Sequence, residues 1–459
     1  MPEIYSYEDN LLRYEFHDTE FNRDLYKEFD IKATKLGIES KIEDLLSGKV
    51  INLTEDQAAF HPKYRKNNGY INEIVKSKSD FFPDVDHLKD DSLKNFMREV
   101  IKSNAENFVS IGIGGSYEGP KLLIQSLGHD EILSKCNHYF ITGSDRNELV
   151  EKLKNLDPKK TVFIVLSKSF KTDETIQMFN DAIQWSGDIN KFIAITANKA
   201  EAEKLDFKHI SEFDNEIGGR YSIWSKISFA AACFAMPTND ENTFENFCLG
   251  GSIADEYILN NDTYKEFVKN LSFSDIWFHN VKHKNSRVIL SYDWNLRSLP
   301  NYFQQLEMES LGKRPNQLSD FKKTGQIIFG GYGPTAQHSY FQLLHQGTQN
   351  ICADLILNSK DQFSNLAFAQ GITQSELLSN GATEFLQDKE KINGNTPVNL
   401  FIFNGLNAKK LGFLIATWEH RVFVTSVMLQ INPFDQFGVN ASKIYTRNNI
   451  NKWITANKN

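Results

Sequence analysis

Hydroxyl groups, cations and glycines are grouped in two short stretches that could bind a phosphate. GIGGS (112–116) places Ser116 after three glycines, and LSKSFKTDET (166–175) groups hydroxyls with two lysines. Hydroxyls and free N–H groups at a helix N-terminus suit a phosphomonoester. A dinucleotide fingerprint fails at Tyr117, and a nucleotide P-loop fails at Pro120. A tight turn without a ligand, and a helix cap at Thr172 or Asp173, are the alternatives.

Two further stretches carry groups suited to acid–base chemistry. In NEIGGRYSIWSK (215–226), Arg220 opens an apolar helix and is either a fixed cation in a cleft or a surface partner of Asp214 or Glu216. FQQLEMESLGK (303–313) contains Glu307 and Glu309, which point about 200° apart on a helix. Periodicity does not decide which of the two glutamates faces a pocket, and a solvated helix face is the alternative for either.

Histidines and a C-terminal lysine complete the candidate groups. His338 and His345 lie seven residues apart in QHSYFQLLHQ (337–346), predicted as helix, and so share one face, a spacing that does not favour a metal site. His338, near the start of that helix, is the acid or base candidate, whereas His345 is better explained as a structural histidine. NPFDQFGVNASKIY (432–445) carries Gln436 and Lys443, and alone it predicts only a solvated helix.

The elements that would position these groups follow an α/β pattern. From residue 106, short apolar runs alternate with amphipathic segments up to KFIAIT (191–196), which is typical of βαβ units with a parallel sheet. A second series of this kind runs from RVILSY (287–292) to CADLILN (352–358). Residues 1–105 are predicted to be a mostly helical scaffold, and 221–285 a helical connection. Ligands bind at the carboxyl ends of parallel strands, where both hydroxyl-rich stretches fall.

Composition excludes several classes of protein. The 459 residues carry a net charge of −8, and no basic run is present, which argues against a nucleic-acid binder. The four cysteines are scattered, so buried free thiols are expected. Neither a signal peptide nor a membrane-length apolar segment is apparent, so we expect a cytoplasmic protein that contacts no membrane.

Taken together, the motifs resemble the glucose-6-phosphate isomerase (phosphoglucose isomerase) family. GIGGS, SKSFKTDET, GGRYSIWS, QQLEMESLGK, QHSYFQLLHQGT and FDQFGV with its following lysine appear in the family's order, over about residues 108 to 447. The resemblance implies two sugar-isomerase α/β lobes and interconversion of glucose 6-phosphate and fructose 6-phosphate in glycolysis and gluconeogenesis. It also implies no metal or organic cofactor, and a homodimer in which the histidine enters the neighbouring subunit's site.

The resemblance assigns roles to individual residues. Glu309, rather than Glu307, becomes the base that moves a proton between C2 and C1, and Arg220 stabilises the enediolate. His338 and Lys443 open the sugar ring. The substrate-binding residues that it implies, most of them around the phosphate, are Gly115, Ser116, Ser167, Lys168, Ser169, Thr172, Gln305 and Gln436.

Four departures from the family pattern remove no catalytic side chain. Leu311 replaces an asparagine near the base, Lys171 replaces a threonine, the loop before His338 reads GGYGPTAQH, and NASK stands in place of ELGK.

We expect a first lobe at 72–238, a second lobe formed by 1–71 and 239–443, and a C-terminal tail at 444–459. The rival functions are a related isomerase that also accepts mannose 6-phosphate, and a non-catalytic sugar-phosphate sensor.

Overall fold

The computed structural model describes residues 5–18, 20–66, 90–128, 137–228, 243–360, 365–382 and 387–456. Two sheets flanked by helices form the architecture, as the sequence predicted. The N-terminal part contains β1 (Tyr5–Glu8), β2 (Arg13–His17), α1 (Arg23–Lys35), α2 (Ile38–Ser47) and α3 (Lys63–Lys66). The prediction that residues 1–105 are mostly helical is therefore wrong at its start, where two strands pair as an antiparallel hairpin.

The first sheet contains the predicted alternation of strands and helices. Its segment consists of α4 (Asp91–Lys102), β3 (Asn107–Ile111), α5 (Gly115–Leu127), β4 (Asn137–Ile141), α6 (Arg146–Leu153), β5 (Thr161–Leu166), α7 (Asp173–Ser186), β6 (Phe192–Thr196), α8 (Lys199–Glu203) and β7 (His209–Glu212). All neighbouring strands are parallel, in the order β4-β3-β5-β6-β7. The short strand β7 was not predicted.

Both faces of the first sheet are buried, which explains its nearly continuous apolar strands. Along β3 and β5, Phe108 and Ile164 belong to the large core shared with the second half of the chain. Val109 and Phe163, which alternate with them, belong to a smaller core beneath α7. Each strand therefore presents apolar side chains in both directions, and its polar groups are left to the loops at the sheet edge.

The second half of the chain forms the other sheet. It contains α9 (Thr243–Asn260), α10 (Asp262–Asn280), β8 (Ser286–Ser291), α11 (Leu299–Leu311), β9 (Ile327–Tyr332), α12 (Gly333–Ala336), α13 (Phe341–Gln346), β10 (Ile351–Asn358), α14 (Leu366–Asn380), β11 (Val398–Phe403), α15 (Ala408–Leu429) and α16 (Phe437–Ala456). The strand order is β1-β2-β11-β10-β8-β9, in which β2 runs antiparallel to both of its neighbours and the other pairs are parallel. Sequence analysis had left β11 unassigned.

Two local expectations need correction. Residues 337–340 form a turn and only Phe341–Gln346 is helical, so His338 and His345 do not share a helix face. Arg220 lies in a 3-10 segment, Gly219–Trp224, and not at the start of an α-helix.

Of the four cysteines, Cys248 and Cys352 are buried free thiols as predicted, while the other two lie outside the described residues. None of the helices in the described part of the chain is long and apolar enough to cross a bilayer.

Candidate active site

The first phosphate-loop candidate joins β3 to α5 and depends on glycine. Gly114 has a φ of 60°, a backbone conformation that side chains disfavour. At Gly115 a Cβ would lie 1.9 Å from the carbonyl oxygen of Gly219, so the two backbones are in direct contact. Ser116 follows in the first turn of α5 and is half-buried. The glycines thus bring this loop against the segment that carries Arg220.

The second loop joins β5 to α7, and β5 is the direct neighbour of β3 in the sheet. Ser167 is buried, and its Oγ accepts a hydrogen bond from the Phe170 N–H at 3.1 Å. The Thr172 hydroxyl lies 3.4 Å from the Ser167 hydroxyl. Thr172 occupies the N-cap position of α7, yet its side chain makes no cap hydrogen bond. The alternative that Thr172 merely caps the helix is therefore wrong.

Two further residues of this loop differ in exposure. Ser169 is exposed, and its hydroxyl accepts a hydrogen bond from the Lys171 N–H at 3.2 Å. Burial lowers the pKa of the Lys168 ammonium, and the Glu55 carboxylate opposes this effect. Lys168 is the half-buried cation of the second loop, whereas the Lys171 ammonium pairs with Glu201 at 3.2 Å.

Arg220 is almost completely buried, which excludes the surface pairing considered for it. Its Nε donates to the Ser310 hydroxyl at 2.7 Å, and its Nη2 donates to the carbonyl oxygens of Pro433 and Asp435. Its Nη1 donates to Gln436 Oε1 at 3.1 Å. The guanidinium is thereby fixed in one orientation between α11 and the loop before α16.

The structure separates the two glutamates of α11, which periodicity could not do. Glu307 is buried, pairs with Arg287 and accepts a hydrogen bond from the Trp418 indole at 2.6 Å. Glu309 retains 21% side-chain exposure, and its Oε1 lies 3.5 Å from Arg220 Nη1. Gln305, one turn earlier, donates from Nε2 to Glu309 Oε2 at 3.2 Å. Glu309 is therefore the partly exposed carboxylate, beside Arg220 and Gln305, and Glu307 anchors the helix to the core.

The α11 helix also touches the first loop. A Cβ at Gly114 would lie 3.1 Å from Gln305 Nε2, and the buried Gln305 Oε1 has no hydrogen-bond partner within the described residues. The unpartnered oxygen leaves one acceptor free at the junction of α11 and the first loop. Gln305, Glu309 and Arg220 are thus linked to one another and to the Gly114–Gly115 turn, which precedes Ser116, at the carboxyl edge of the first sheet.

Known proteins resemble this chain over nearly all of its length. The phosphoglucose isomerase family model matches residues 15–458. The glucose-6-phosphate isomerase of Shewanella amazonensis is 34% identical, with 90% of this chain and 82% of the relative aligned, and that of Shewanella halifaxensis is also 34% identical, with 92% and 84% aligned. The chain belongs to the phosphoglucose isomerase family. The family prediction is confirmed.

Solved structures agree in fold with this phosphoglucose isomerase family member. A glucose-6-phosphate isomerase from Chlamydia trachomatis superposes with a TM-score of 0.79 at 23% identity, covering 98% of this chain and 90% of that one. A hypothetical protein from Thermus thermophilus gives a TM-score of 0.71 at 20% identity, covering 96% and 99%. At these identities the likeness establishes the fold alone.

The departures from the phosphoglucose isomerase pattern have visible structural consequences. Leu311 is buried in the main core, so its apolar side chain is used for packing where the family has an amide. In the loop before His338, the Tyr332 ring packs edge-on against Trp294 with centroids 5.2 Å apart. A Cβ at Gly333 would lie 2.6 Å from the Tyr292 ring. Aromatic contacts therefore fix the rim that leads to His338.

Two predicted catalytic residues stand apart from the cluster. The His338 side chain is exposed, and within the described part of the chain it makes no hydrogen bond or ion pair with the cluster. Lys443 is exposed on α16, and its charge contributes to lowering the pKa of the Asp173 carboxyl at the start of α7, an effect led by the Arg447 hydrogen bond. The structure thus joins Glu309, Arg220, Gln305 and Gln436, and leaves the two ring-opening candidates at the periphery of the single chain.

Sequence reasoning missed two residues that hold the cluster together. Lys313 donates to Asp435 Oδ1 at 3.0 Å, and burial lowers the pKa of this lysine while the Asp435 hydrogen bond opposes the shift. This contact ties the end of α11 to the loop that contains Gln436. Lys313 lies inside the quoted motif MESLGK, but only the tertiary contact reveals its partner. Across the described ranges, no group of three or more His, Cys, Asp or Glu side chains is arranged to hold a metal ion.

Proposed function

We propose that this protein interconverts glucose 6-phosphate and fructose 6-phosphate, with Glu309 as the base that transfers a proton between C2 and C1 through a cis-enediolate. The observation that carries this assignment is the position of Glu309. Its carboxylate lies between Gln305 and the fixed guanidinium of Arg220, beside two hydroxyl-rich loops, in a chain of the phosphoglucose isomerase family. Aldose–ketose isomerisation needs one carboxylate that can reach two adjacent carbons.

The phosphate of the substrate binds between the two loops. Hydroxyls of Ser116, Ser167 and Thr172 donate to its oxygens, and the free N–H groups at the start of α7 add to them. Supporting this role, the Thr172 hydroxyl is not used for capping. Ser169 and the Lys168 ammonium complete the pocket, and Gly115 lets the backbone approach the ligand. Phosphate binding at this distance serves to position the reacting carbons.

Arg220 stabilises the enediolate. Negative charge develops on O1 and O2 as Glu309 removes the proton, and a fixed guanidinium stabilises that charge without reorganising. Four hydrogen bonds from Arg220 to Ser310, Pro433, Asp435 and Gln436 supply that rigidity. Gln305 and Gln436 orient the substrate from either side of the carboxylate.

His338 and Lys443 open the sugar ring, and the active unit is a homodimer with shared sites. The exposure of His338 in the single chain supports a role in a neighbouring subunit's site. The exposed apolar side chains along α16, among them Ile444, Tyr445 and Trp453, support burial of this helix by a second copy. We also propose lobes at 72–238 and at 1–71 with 239–443, although both junctions lie outside the described residues.

A coupled assay for fructose 6-phosphate in the presence of a metal chelator tests the reaction. The wild-type protein is expected to isomerise at full rate, and Glu309→Gln to bind sugar phosphate without turnover. A Glu309→Gln variant that retains substantial turnover would contradict the base assignment. Turnover rates with mannose and glucosamine 6-phosphates distinguish this function from that of the related isomerase that also accepts mannose 6-phosphate. If the wild-type protein binds sugar phosphates without any turnover, the result would favour the non-catalytic sensor.

Subunit mixing tests the shared site. Inactive Glu309→Gln and His338→Ala proteins are unfolded and refolded together, so that hybrid dimers contain one intact Glu309–His338 combination when the histidine crosses subunits. We expect about a quarter of wild-type activity to return, since half of the dimers are hybrids with one complete site. Each variant refolded alone is the control. Absence of recovery, with hybrids confirmed by mass spectrometry, would refute the crossing of His338.

A further inference from the structure

The helix that carries Lys443 contacts the rest of the chain through an ion pair at Arg447. Every described side chain of α16 from Phe437 to Ile454 is exposed, so packing against this chain does little to fix its position. Arg447 nevertheless forms a two-pronged ion pair with Asp173, with Nε to Oδ2 at 2.9 Å and Nη2 to Oδ1 at 2.8 Å. This geometry is the directional form of an arginine–carboxylate contact.

The position of Asp173 connects this ion pair to the phosphate site. Asp173 is the first residue of α7 and follows Thr172 directly in the second loop. Hydrogen bonding to Arg447 lowers the pKa of the Asp173 carboxyl, and the charge of Lys443 adds to the shift. The carboxylate therefore stays ionised, and it links the C-terminal helix to the loop that binds the phosphate.

Arg447 also decides which cation Asp173 binds. Lys443 and Arg447 are four residues apart, so they lie on the same face of α16, one turn from each other. Both carboxylate oxygens of Asp173 accept a hydrogen bond from Arg447, and neither accepts one from Lys443. If Arg447 were absent, Lys443 would be the neighbouring cation left to pair with Asp173, which would draw its ammonium away from the sugar.

We propose that the Asp173–Arg447 ion pair is a positioning device for Lys443, holding α16 at the phosphate loop and leaving the lysine ammonium free to act on the sugar ring. The inference rests on the proposed function, because it assumes that Lys443 takes part in ring opening. Arg447 and Asp173 are positioning residues, since neither is assigned to contact the reacting atoms. Their effect should appear in ring opening and not in proton transfer.

The test is a double-mutant cycle of Arg447→Gln and Asp173→Asn in the full-length protein. Ring opening is measured directly as the rate at which the protein exchanges the α and β anomers of glucose 6-phosphate, by NMR exchange spectroscopy in a Glu309→Gln background that cannot isomerise. Because the pair is exposed, we expect a loss of about two- to fivefold in each single variant. The double variant should fall no further than the worse single variant.

A matched control is present on α7, the helix that begins with Asp173. Arg146 forms a second two-pronged pair with Asp181 of α7, at 2.8 and 3.0 Å, which does not involve α16. Arg146→Gln removes an arginine–carboxylate pair of the same two-pronged geometry and should leave anomer exchange unchanged. Arg447→Lys keeps the charge without the two-pronged geometry and should fall between the wild type and Arg447→Gln. When Glu309 is restored, the Arg447→Gln and Asp173→Asn variants should lower kcat by a larger factor than they raise KM.

Two outcomes would overturn the proposal. One is anomer exchange in Arg447→Gln equal to that of Arg146→Gln. The other is a double variant whose loss is the product of the two single losses, which would mean that the residues act independently. Failure of the proposed function is distinguishable from failure of this inference. If the proposed function is wrong, the wild-type protein itself shows no isomerisation in the coupled assay.

Discussion

The contact between Gly115 and Gly219 makes the first candidate phosphate loop sensitive to a single methyl group. In Gly115→Ala the new Cβ would lie 1.9 Å from the Gly219 carbonyl oxygen and 2.9 Å from the Arg220 nitrogen. Side-chain carbons do not approach other atoms below about 3.0 Å, so the two backbones must separate by about 1 Å. That displacement moves the first candidate phosphate loop away from Arg220, the residue proposed to stabilise the enediolate.

The expected cost follows from this displacement. A shift of about 1 Å between groups that must act together lowers enzymatic rates by about 100-fold, or about 2.7 kcal/mol in activation free energy. Alanine is otherwise the better residue in a helix, by about 1 kcal/mol. Helix propensity alone would therefore predict a more stable and fully active variant, so the two explanations predict opposite results.

The assay measures kcat/KM for glucose 6-phosphate alongside thermal unfolding, with Gly219→Ala as the control. A Cβ at Gly219 meets no atom within 4 Å, so this variant changes the facing residue without a clash. We expect Gly115→Ala to lose about 100-fold in kcat/KM and Gly219→Ala to stay near wild type. Activity of Gly115→Ala within about threefold of wild type, or an equal loss in Gly219→Ala, would refute the reasoning.

Three further predictions concern stability and phosphate binding. Thr172→Val should raise KM for glucose 6-phosphate about tenfold without lowering Tm, because its hydroxyl makes no cap bond; a lower Tm would contradict this. Glu307→Ala should lower the free energy of unfolding in urea by about 3–5 kcal/mol, since it leaves Arg287 partly unpaired in the core; a loss below about 1 kcal/mol would contradict the anchoring role. Burial holds the pKa of His61 well below 6.5, so the unfolded chain binds a proton that the folded state does not, and stability should fall as pH drops below about 6.5. Urea titrations of wild type and His61→Gln at pH 7.5 and 5.5 measure this, and an equal pH dependence in both would contradict it.

Where periodicity was strong, the sequence predicted the fold well. The strands β3 and β5 are short apolar runs followed by glycine- or serine-rich loops, and both lie where the pattern indicated. The strand β2 was missed because buried Tyr14 and Phe16 alternate with charged residues in a short segment. Its pairing with β11, almost 400 residues later, is a contact that local pattern does not reveal.

The sequence predicted which residues belong to the candidate site better than it predicted how their side chains are arranged. Glu307 and Glu309 have the same chemistry and stand two residues apart, so only the contacts of Glu307 with Arg287 and Trp418 show which of them faces the core. The turn at 337–340 replaces the expected start of a helix at His338, and leaves that histidine exposed. Residues such as Asp435 emerge only from tertiary contacts with Lys313.

The central claim, that Glu309 carries one proton between two carbons, can be tested by following an isotope. Glucose 6-phosphate deuterated at C2 is converted in water, and NMR measures how much deuterium reaches C1 of fructose 6-phosphate. A carboxylate that holds the proton between removal and return predicts deuterium at C1 in part of the product, the rest lost to solvent, and no product from Glu309→Gln. Complete retention of deuterium without solvent exchange, or transfer that persists in Glu309→Gln, would contradict the account.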